Sequence, residues 1–181
     1  MKVRPTAIPD VLLVEPTVLR DERGFFLESW HAARYAEAGL PAAFVQDNHS
    51  RSVGGVLRGL HYQTGEPQGK LVRVVAGEVF DVAVDLRRSS PTFGHWVGEI
   101  LDEVTHRQMW IPPGFAHGFY VISPSADLLY KCTGFYAPEH EHTLRWDDPA
   151  LAIAWPLAGA TPLVSARDAA ALPFAQTPTF A

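Results

Sequence analysis

A single cysteine, Cys132, is present in 181 residues, so no internal disulfide can form and a reducing compartment is compatible with the chain. No run of lysines or arginines occurs, and the formal net charge is −5. Proteins that grip a phosphate backbone neutralise many phosphates with clustered basic residues, so nucleic acid is not an expected partner. No stretch approaches the ~18 consecutive apolar residues that a bilayer-spanning helix requires. The opening Met1–Asp10 segment also lacks an apolar core of signal-peptide length. A cytoplasmic protein without a membrane partner is therefore expected. Internal repeats and low-complexity tracts are likewise missing. With 47% hydrophobic residues, the chain is long enough for one well-cored domain and too short for two, which predicts a single domain over residues 1–181.

Short apolar and β-branched runs bounded by turn residues make up the middle of the chain. They fall at Val56–Gln63, Leu71–Ala76, Glu78–Leu86, Trp96–Leu101, Gln108–Ile111, Gly118–Ile122 and Leu128–Phe135. Strands this short, separated by Gly, Pro, Ser and Asp clusters, predict an all-β sandwich or barrel rather than βαβ units. Ala76-Gly77-Glu78 predicts a tight hairpin or bulge, because glycine tolerates the positive φ of such turns. A short helix is expected from an N-cap at Ser29 to Ala38, with Gly39 as its stop. Another is expected from Ser165, where Ser165-Ala166-Arg167-Asp168 has capping-box spacing. The Pro- and Ala-rich tail beyond Pro156 is expected to wrap the body loosely.

Four residues inside this β-rich sequence carry chemistry. His61 and Lys70 stand nine residues apart as a candidate base and electrophile, and His117 and Tyr130 supply a second imidazole and a phenol. Together they outline a proton-transfer site. Each also has a plainer reading. A strand histidine is commonly a hydrogen-bonded core or surface residue. Tyr130 shares a strand face with Leu128, Cys132 and Tyr136, as in simple aromatic packing. Lys70 at a strand end can snorkel to water, whereas an inward lysine would be desolvated and would need an anionic partner or a functional role. Alternation places His61 and Arg58 on opposite faces, so both serve one site only if Gly59 marks a bulge or twist. Asp168 has a local duty available as the last member of the capping box. Glu139-His140-Glu141-His142 resembles a chelator, yet it follows Pro138 in a polar segment and is expected to be solvated.

Gly59 to His61, followed by Pro113-Gly114-Phe115-Ala116-His117, looks like the two half-motifs of a cupin barrel. Metal-binding cupins generally carry His-x-His in the first half-motif, where this chain has His61-Tyr62-Gln63. His61 and His117 alone fall short of the three or more ligands that a catalytic divalent metal needs. No metal is expected, and a metal-dependent oxygenase on this fold is disfavoured.

The segments Asp21–Phe26, Gln46–Ser50, Val56–Gln63, Gln68–Asp85, Ser90–Gly94, Ile111–Phe119, Leu129–Lys131 and Ser165–Asp168 cover nearly the whole chain in order. Together they closely resemble the dTDP-4-dehydrorhamnose 3,5-epimerase family. The resemblance implies an all-β, cupin-like jelly-roll barrel or sandwich with a few short helices, no cofactor, and a homodimer. It also implies epimerisation at C3 and C5 of a dTDP-linked 4-keto-6-deoxyhexose. A C4 ketone acidifies the hydrogens on both neighbouring carbons, so a base, an enolate stabiliser and an acid on the opposite face suffice. A monofunctional 3- or 5-epimerase shares most of these motifs and is the nearest alternative. A non-catalytic sugar-nucleotide binder would have no use for base, acid and lysine together.

By this resemblance His61 is the base, Asp168 orients its imidazole, Tyr130 donates the proton and Lys70 faces the C4 oxygen. Asp81 and His117 match pocket positions. Arg23, Glu28, Gln46, Asp47, Asn48, Arg58, Glu141 and Arg167 match residues that hold the nucleotide end, with Tyr136 offering an aromatic face. The Arg23 region is the part expected to come from a neighbouring subunit. Two departures stand out: Arg167 occupies a position where the family more often has lysine, and the loop between His61 and Lys70 is slightly shorter than in some relatives.

Overall fold

The computed structural model describes residues 1–181. In chain order its strands are β1 (Lys2–Pro5), β2 (Leu12–Glu15), β3 (Val18–Asp21), β4 (Gly24–Leu27), β5 (Gln46–Val53), β6 (Leu57–Gln63) and β7 (Lys70–Ala76). They continue as β8 (Glu78–Asp85), β9 (Trp96–Asp102), β10 (Gln108–Ile111), β11 (Phe115–Val121), β12 (Ser125–Cys132) and β13 (Glu141–Thr143). Two short helices, α1 (Ala32–Glu37) and α2 (Ala166–Ala169), complete the set. No helix is long and apolar enough to cross a membrane.

Strands β1-β2-β10-β7-β12-β5 form a six-stranded sheet and β13-β6-β11-β8-β9 a five-stranded one, while β3 and β4 make a separate ribbon. Neighbouring strands run antiparallel throughout. The two larger sheets face each other as the sandwich of a cupin-like jelly roll. Alternation sends Val72, Val74, Met109, Ile111 and Leu128 inward from one sheet to meet Val79, Ala83, Val97, Phe119 and Val121 from the other. The outer face of the five-stranded sheet is covered as well: Leu60, Tyr62, Val82, Val84 and Leu144 pack with Trp155, Phe174 and Phe180 of the C-terminal segment. On the other side, Leu71 and Trp110 lie under Tyr35 and Leu40. With both faces of the sheet covered, every residue of β11 is buried, so its sequence reads as a run without polar alternation.

Several sequence expectations need correction. The first helix is capped by His31, whose side chain accepts from Arg34 N. Ser29 lies outside the helix, its carbonyl taken by the Tyr35 hydroxyl at 2.9 Å and the Gln108 amide at 2.8 Å. Gly77, with φ +79°, does not close a hairpin: β7 and β8 belong to different sheets, so the glycine turns the corner between them. The strand expected over Gly118–Ile122 begins at Phe115, because Phe115, Ala116 and His117 pair with Asp85, Val84 and Ala83. The tail is not loose. It is held by bridges Val56↔Leu163, Leu144↔Leu172 and Arg87↔Phe180, and by the Tyr62 hydroxyl donating to Pro178 O at 2.7 Å. Strand β5 was hidden by its polar sequence, since its inward residues meet a polar cleft rather than the core.

The conflict between Arg58 and His61 is resolved by a bulge. His61 pairs with His117 and Arg58 with Phe119, so three steps along β6 span two along β11. The extra residue shifts the strand's phase and brings both side chains to one wall. Gly59 makes this possible with φ +115°, a conformation costly for residues with a Cβ. Opposite it, a Cβ on Gly118 would lie 2.6 Å from Arg58 O and 3.3 Å from Gly59 Cα. Gly118→Ala is therefore expected to push β6 and β11 apart. Chemical denaturation should show a loss of about 1–3 kcal/mol, typical of overpacking, with activity falling because Arg58 and His61 both move.

Candidate active site

A cleft of about 320 Å³ opens between the inner faces of the two sheets, and only four of its fifteen lining residues are hydrophobic. Such walls suit a polar ligand. The five-stranded sheet contributes Arg58, His61, Gln63 and His117; the six-stranded sheet contributes Lys70, Tyr130 and, from β5, Gln46, Asn48 and Ser50. Tyr62, Gly118 and Phe119 of the five-stranded sheet, with Gln68, Tyr136 and Glu141, complete the lining.

His61 Nε2 lies 2.7 Å from Asp168 Oδ1. An ionised carboxylate only accepts, so Nε2 carries the hydrogen and the other ring nitrogen is left to take a proton. Asp168 is 3% exposed, and its second oxygen accepts from Gly59 N at 3.4 Å. Burial alone would raise its pKa. The hydrogen bond and charge of His61, with the Gly59 amide and Ser165, outweigh burial and hold the carboxyl below its usual range. Capping is thus not the carboxylate's duty: Ser165 caps α2 by accepting from Asp168 N at 3.0 Å, while the Asp168 side chain turns to His61.

Lys70 faces inward on β7 with Val72 and Val74, and its Nζ lies 3.5 Å from the His61 carbonyl. Water is not its destination. Desolvation lowers its pKa, partly opposed by Cys132, Glu141 and Asp81. Tyr130 both packs on the core and lines the cleft. Burial raises its phenol, the nearby Cys132 and Glu141 add to the rise, and Arg58 opposes it. His117 faces the cleft with both Asp81 oxygens 3.0 Å behind its Nε2. Asp81 is wholly buried and lies behind the wall rather than on it. No group of three or more His, Cys, Asp or Glu side chains is placed to hold a metal ion, and His61 and His117 each face a carboxylate of their own.

At the rim, Arg58 donates to Ser52 Oγ at 2.9 Å. Glu141 accepts from Arg167 at 2.7 Å and from the Tyr136 hydroxyl at 2.5 Å. The segment expected to be solvated is therefore structured: β13 pairs with β6, and His142 Nε2 lies 3.0 Å from Thr64 Oγ1. Gln46 and Asn48 point inward, while Asp47 between them points outward to Lys131 at 2.9 Å, as strand alternation requires. Arg23, paired with Asp21 at 2.5 Å, and Glu28, paired with Arg34, do not line the cleft of their own chain. The sequence reading missed Ser50, Tyr62, Gln63, Gln68, Gly118 and Phe119 as lining residues. Ser50 continues the inward alternation of Gln46 and Asn48. Gln63 and Gln68 spend their amides on loop carbonyls of Glu66, Phe135 and Gly134.

A carboxylate-backed imidazole on one wall, with a phenol and an ammonium on the other, equips a β-sandwich for proton transfer on a polar substrate. Comparison with known proteins agrees. The family model described as dTDP-4-dehydrorhamnose 3,5-epimerase matches residues 5–176, and the chain belongs to that family of isomerases. It is 60% identical over 181 residues, 99% of each chain, to the dTDP-4-dehydrorhamnose 3,5-epimerase of Pseudomonas aeruginosa. It is 46% identical to the dTDP-4-dehydrorhamnose 3-epimerase of Streptomyces niveus, covering 97% of this chain and 85% of that one. Among solved structures, the dTDP-6-deoxy-D-glucose-3,5-epimerase of Legionella pneumophila, in complex with dTDP-4-keto-L-rhamnose, superposes with a TM-score of 0.91 at 58% identity. That match covers 94% of this chain and 90% of that one.

The Asp168–His61 pair has a pH signature. Because the carboxyl's folded pKa is depressed, the stability it contributes is present above its unfolded pKa of about 3.9 and is lost as pH falls through the folded value. Asp168→Asn should cost roughly 1.5–3 kcal/mol at pH 7, the range for a hydrogen bond to a charged group. Urea titrations should show the gap between the two proteins closing below about pH 4.

Proposed function

We propose that the protein epimerises C3 and C5 of dTDP-4-dehydro-6-deoxy-D-glucose to give dTDP-4-dehydro-L-rhamnose. The observation that carries this reading is the placement of His61 and Tyr130 on different sheets across one cleft, with Lys70 on the same sheet as Tyr130. A sugar ring lying between the sheets presents opposite faces to the two groups.

His61, oriented by Asp168, takes the proton from C3. The C–H electron pair moves into the C3–C4 bond, and the C4 oxygen gains charge that the Lys70 ammonium meets. Tyr130 then delivers its phenolic proton to C3 from the other face, inverting that centre. After the proton exchanges to solvent from His61 and Tyr130 is reprotonated, the same sequence operates at C5. A raised phenol pKa suits an acid that keeps its proton until the enolate forms. His117, backed by Asp81, contacts the sugar. Arg58 and Arg167 serve the diphosphate, since guanidinium forks match phosphate oxygens, and the half-exposed Tyr136 ring offers a stacking face to the base. Gln46 and Asn48 reach the ligand from β5, while Asp47 and Glu141 act by holding Lys131 and Arg167. A lone buried thiol suits the reducing cytoplasm.

The working unit is a homodimer. The β3–β4 ribbon exposes the cross-strand partners Leu19 and Phe26 at 61% and 69%, an apolar pair that calls for cover. Arg23 and Glu28 flank that ribbon and would enter the neighbour's cleft. Mixing inactive Arg23→Ala chains with inactive His61→Ala chains should then restore part of the activity through heterodimers; an active monomer in light scattering would contradict the shared site.

Exchange and inversion separate the roles of base and acid. In deuterated water, His61→Asn should lower exchange at C3 and C5 together by ~10²–10⁴-fold, the usual worth of a positioned base. Tyr130→Phe keeps the ring and its packing volume, so exchange persists while inversion fails. Normal inversion in Tyr130→Phe would remove the phenol from the mechanism, and exchange at only one carbon in the wild type would mark a monofunctional enzyme.

A further inference from the structure

Behind the His61–Asp168 pair lies a polar side chain outside the cleft. Ser165, the N-cap of α2 with ψ 159°, accepts from the Asp168 amide at 3.0 Å. In a reciprocal capping box the acid three residues on would return its carboxylate to the N-cap backbone amide. Here that half is missing: the Asp168 carboxylate accepts from His61 at 2.7 Å and Gly59 N at 3.4 Å. We propose that Ser165 is a positioning residue whose hydroxyl, by satisfying the Asp168 amide, leaves the Asp168 carboxylate free to hold His61. This rests on the reading of His61 as the base.

The physical reason is competition for one acceptor. Helix α2 has only four residues, too few to hold its own geometry by propagation. The amides of its first turn attract any nearby anion, both as unpaired donors and through the helix dipole. Ser165 Oγ fills that need. Without it, the Asp168 carboxylate, at the capping-box position of the same turn, is an acceptor those amides can draw on, and a carboxylate turned back to its own helix has left His61. Ser165 is also among the groups that hold the Asp168 carboxyl below its usual range. It lies in a groove behind the base pair with Val56, Leu163 and Val164 and does not line the cleft, so its effect passes through Asp168.

The test compares Ser165→Ala, Ser165→Gly and Ser165→Thr with wild type in kcat, KM and the far-downfield proton NMR signal of the His61 ring hydrogen bonded to Asp168. Ser165→Ala should lower kcat about tenfold, the rate equivalent of a lost cap, with KM little changed and the downfield signal shifted or lost. Ser165→Gly covers the case in which the alanine variant folds poorly, since glycine is a tolerated N-cap that lacks the hydroxyl; it should show the same loss in a folded protein. Ser165→Thr retains Oγ and should behave as wild type. Wild-type kcat and an intact signal in Ser165→Gly would overturn the proposal, as would a Ser165→Thr enzyme as impaired as Ser165→Ala. Because the NMR signal needs no turnover, its loss with unchanged kcat would support the positioning role of Ser165 and sink the reading of His61 as the base.

Discussion

The contact between Gly59 on β6 and Gly118 on β11 is the constraint on which the site depends. A side chain at either position would strike the facing backbone within 2.7 Å, so the two strands approach this closely only because both residues lack a Cβ. That closeness accommodates the bulge that turns Arg58 and His61 to the same wall. It also presents the Gly59 amide to Asp168. Strand geometry at one crossing thus sets the positions of Arg58, His61 and the Asp168 carboxylate.

Around that crossing the sandwich tolerates polar groups because nearly all of them are paired. Asp81 is wholly buried yet meets His117, and Asp168 meets His61. A buried carboxylate without a partner would be expelled or neutralised. Lys70 is the exception: its ammonium is desolvated and finds only a carbonyl at 3.5 Å. An underused cation inside a polar cleft is free to meet negative charge that a ligand brings or develops there.

The C-terminal segment does more than cover apolar surface. Bridges at Leu163 and Leu172 fix it on either side of α2, which delivers Asp168 to a histidine 107 residues away in sequence. Core cover and site assembly are the same event, since the strap that buries the outer face of the five-stranded sheet also carries the carboxylate. The β3–β4 ribbon, by contrast, leaves Phe25 and Phe26 exposed and its Arg23 away from the chain's own cleft.

Much of this was legible in the chain. Short β-branched runs between turn residues identified an all-β sandwich, because alternation and turn chemistry act over a few residues. Gly59 could be read as the one place where a bulge would reconcile Arg58 with His61. Ordered motifs carried the family resemblance. The direction of Lys70, the commitment of Asp168 to His61 rather than to its helix, the outward turn of Asp47 and the pairing of Glu141 with Arg167 were not legible. Each depends on which groups a distant element brings within 3.5 Å. Strand β5 escaped notice because the polarity of its inward residues is set by the cleft they face, not by a pattern within the strand. Local preference and periodicity are properties of neighbouring residues and survive in a one-dimensional sequence. The pairing of a histidine on β6 with an aspartate on the C-terminal strap exists only once the sheets have packed.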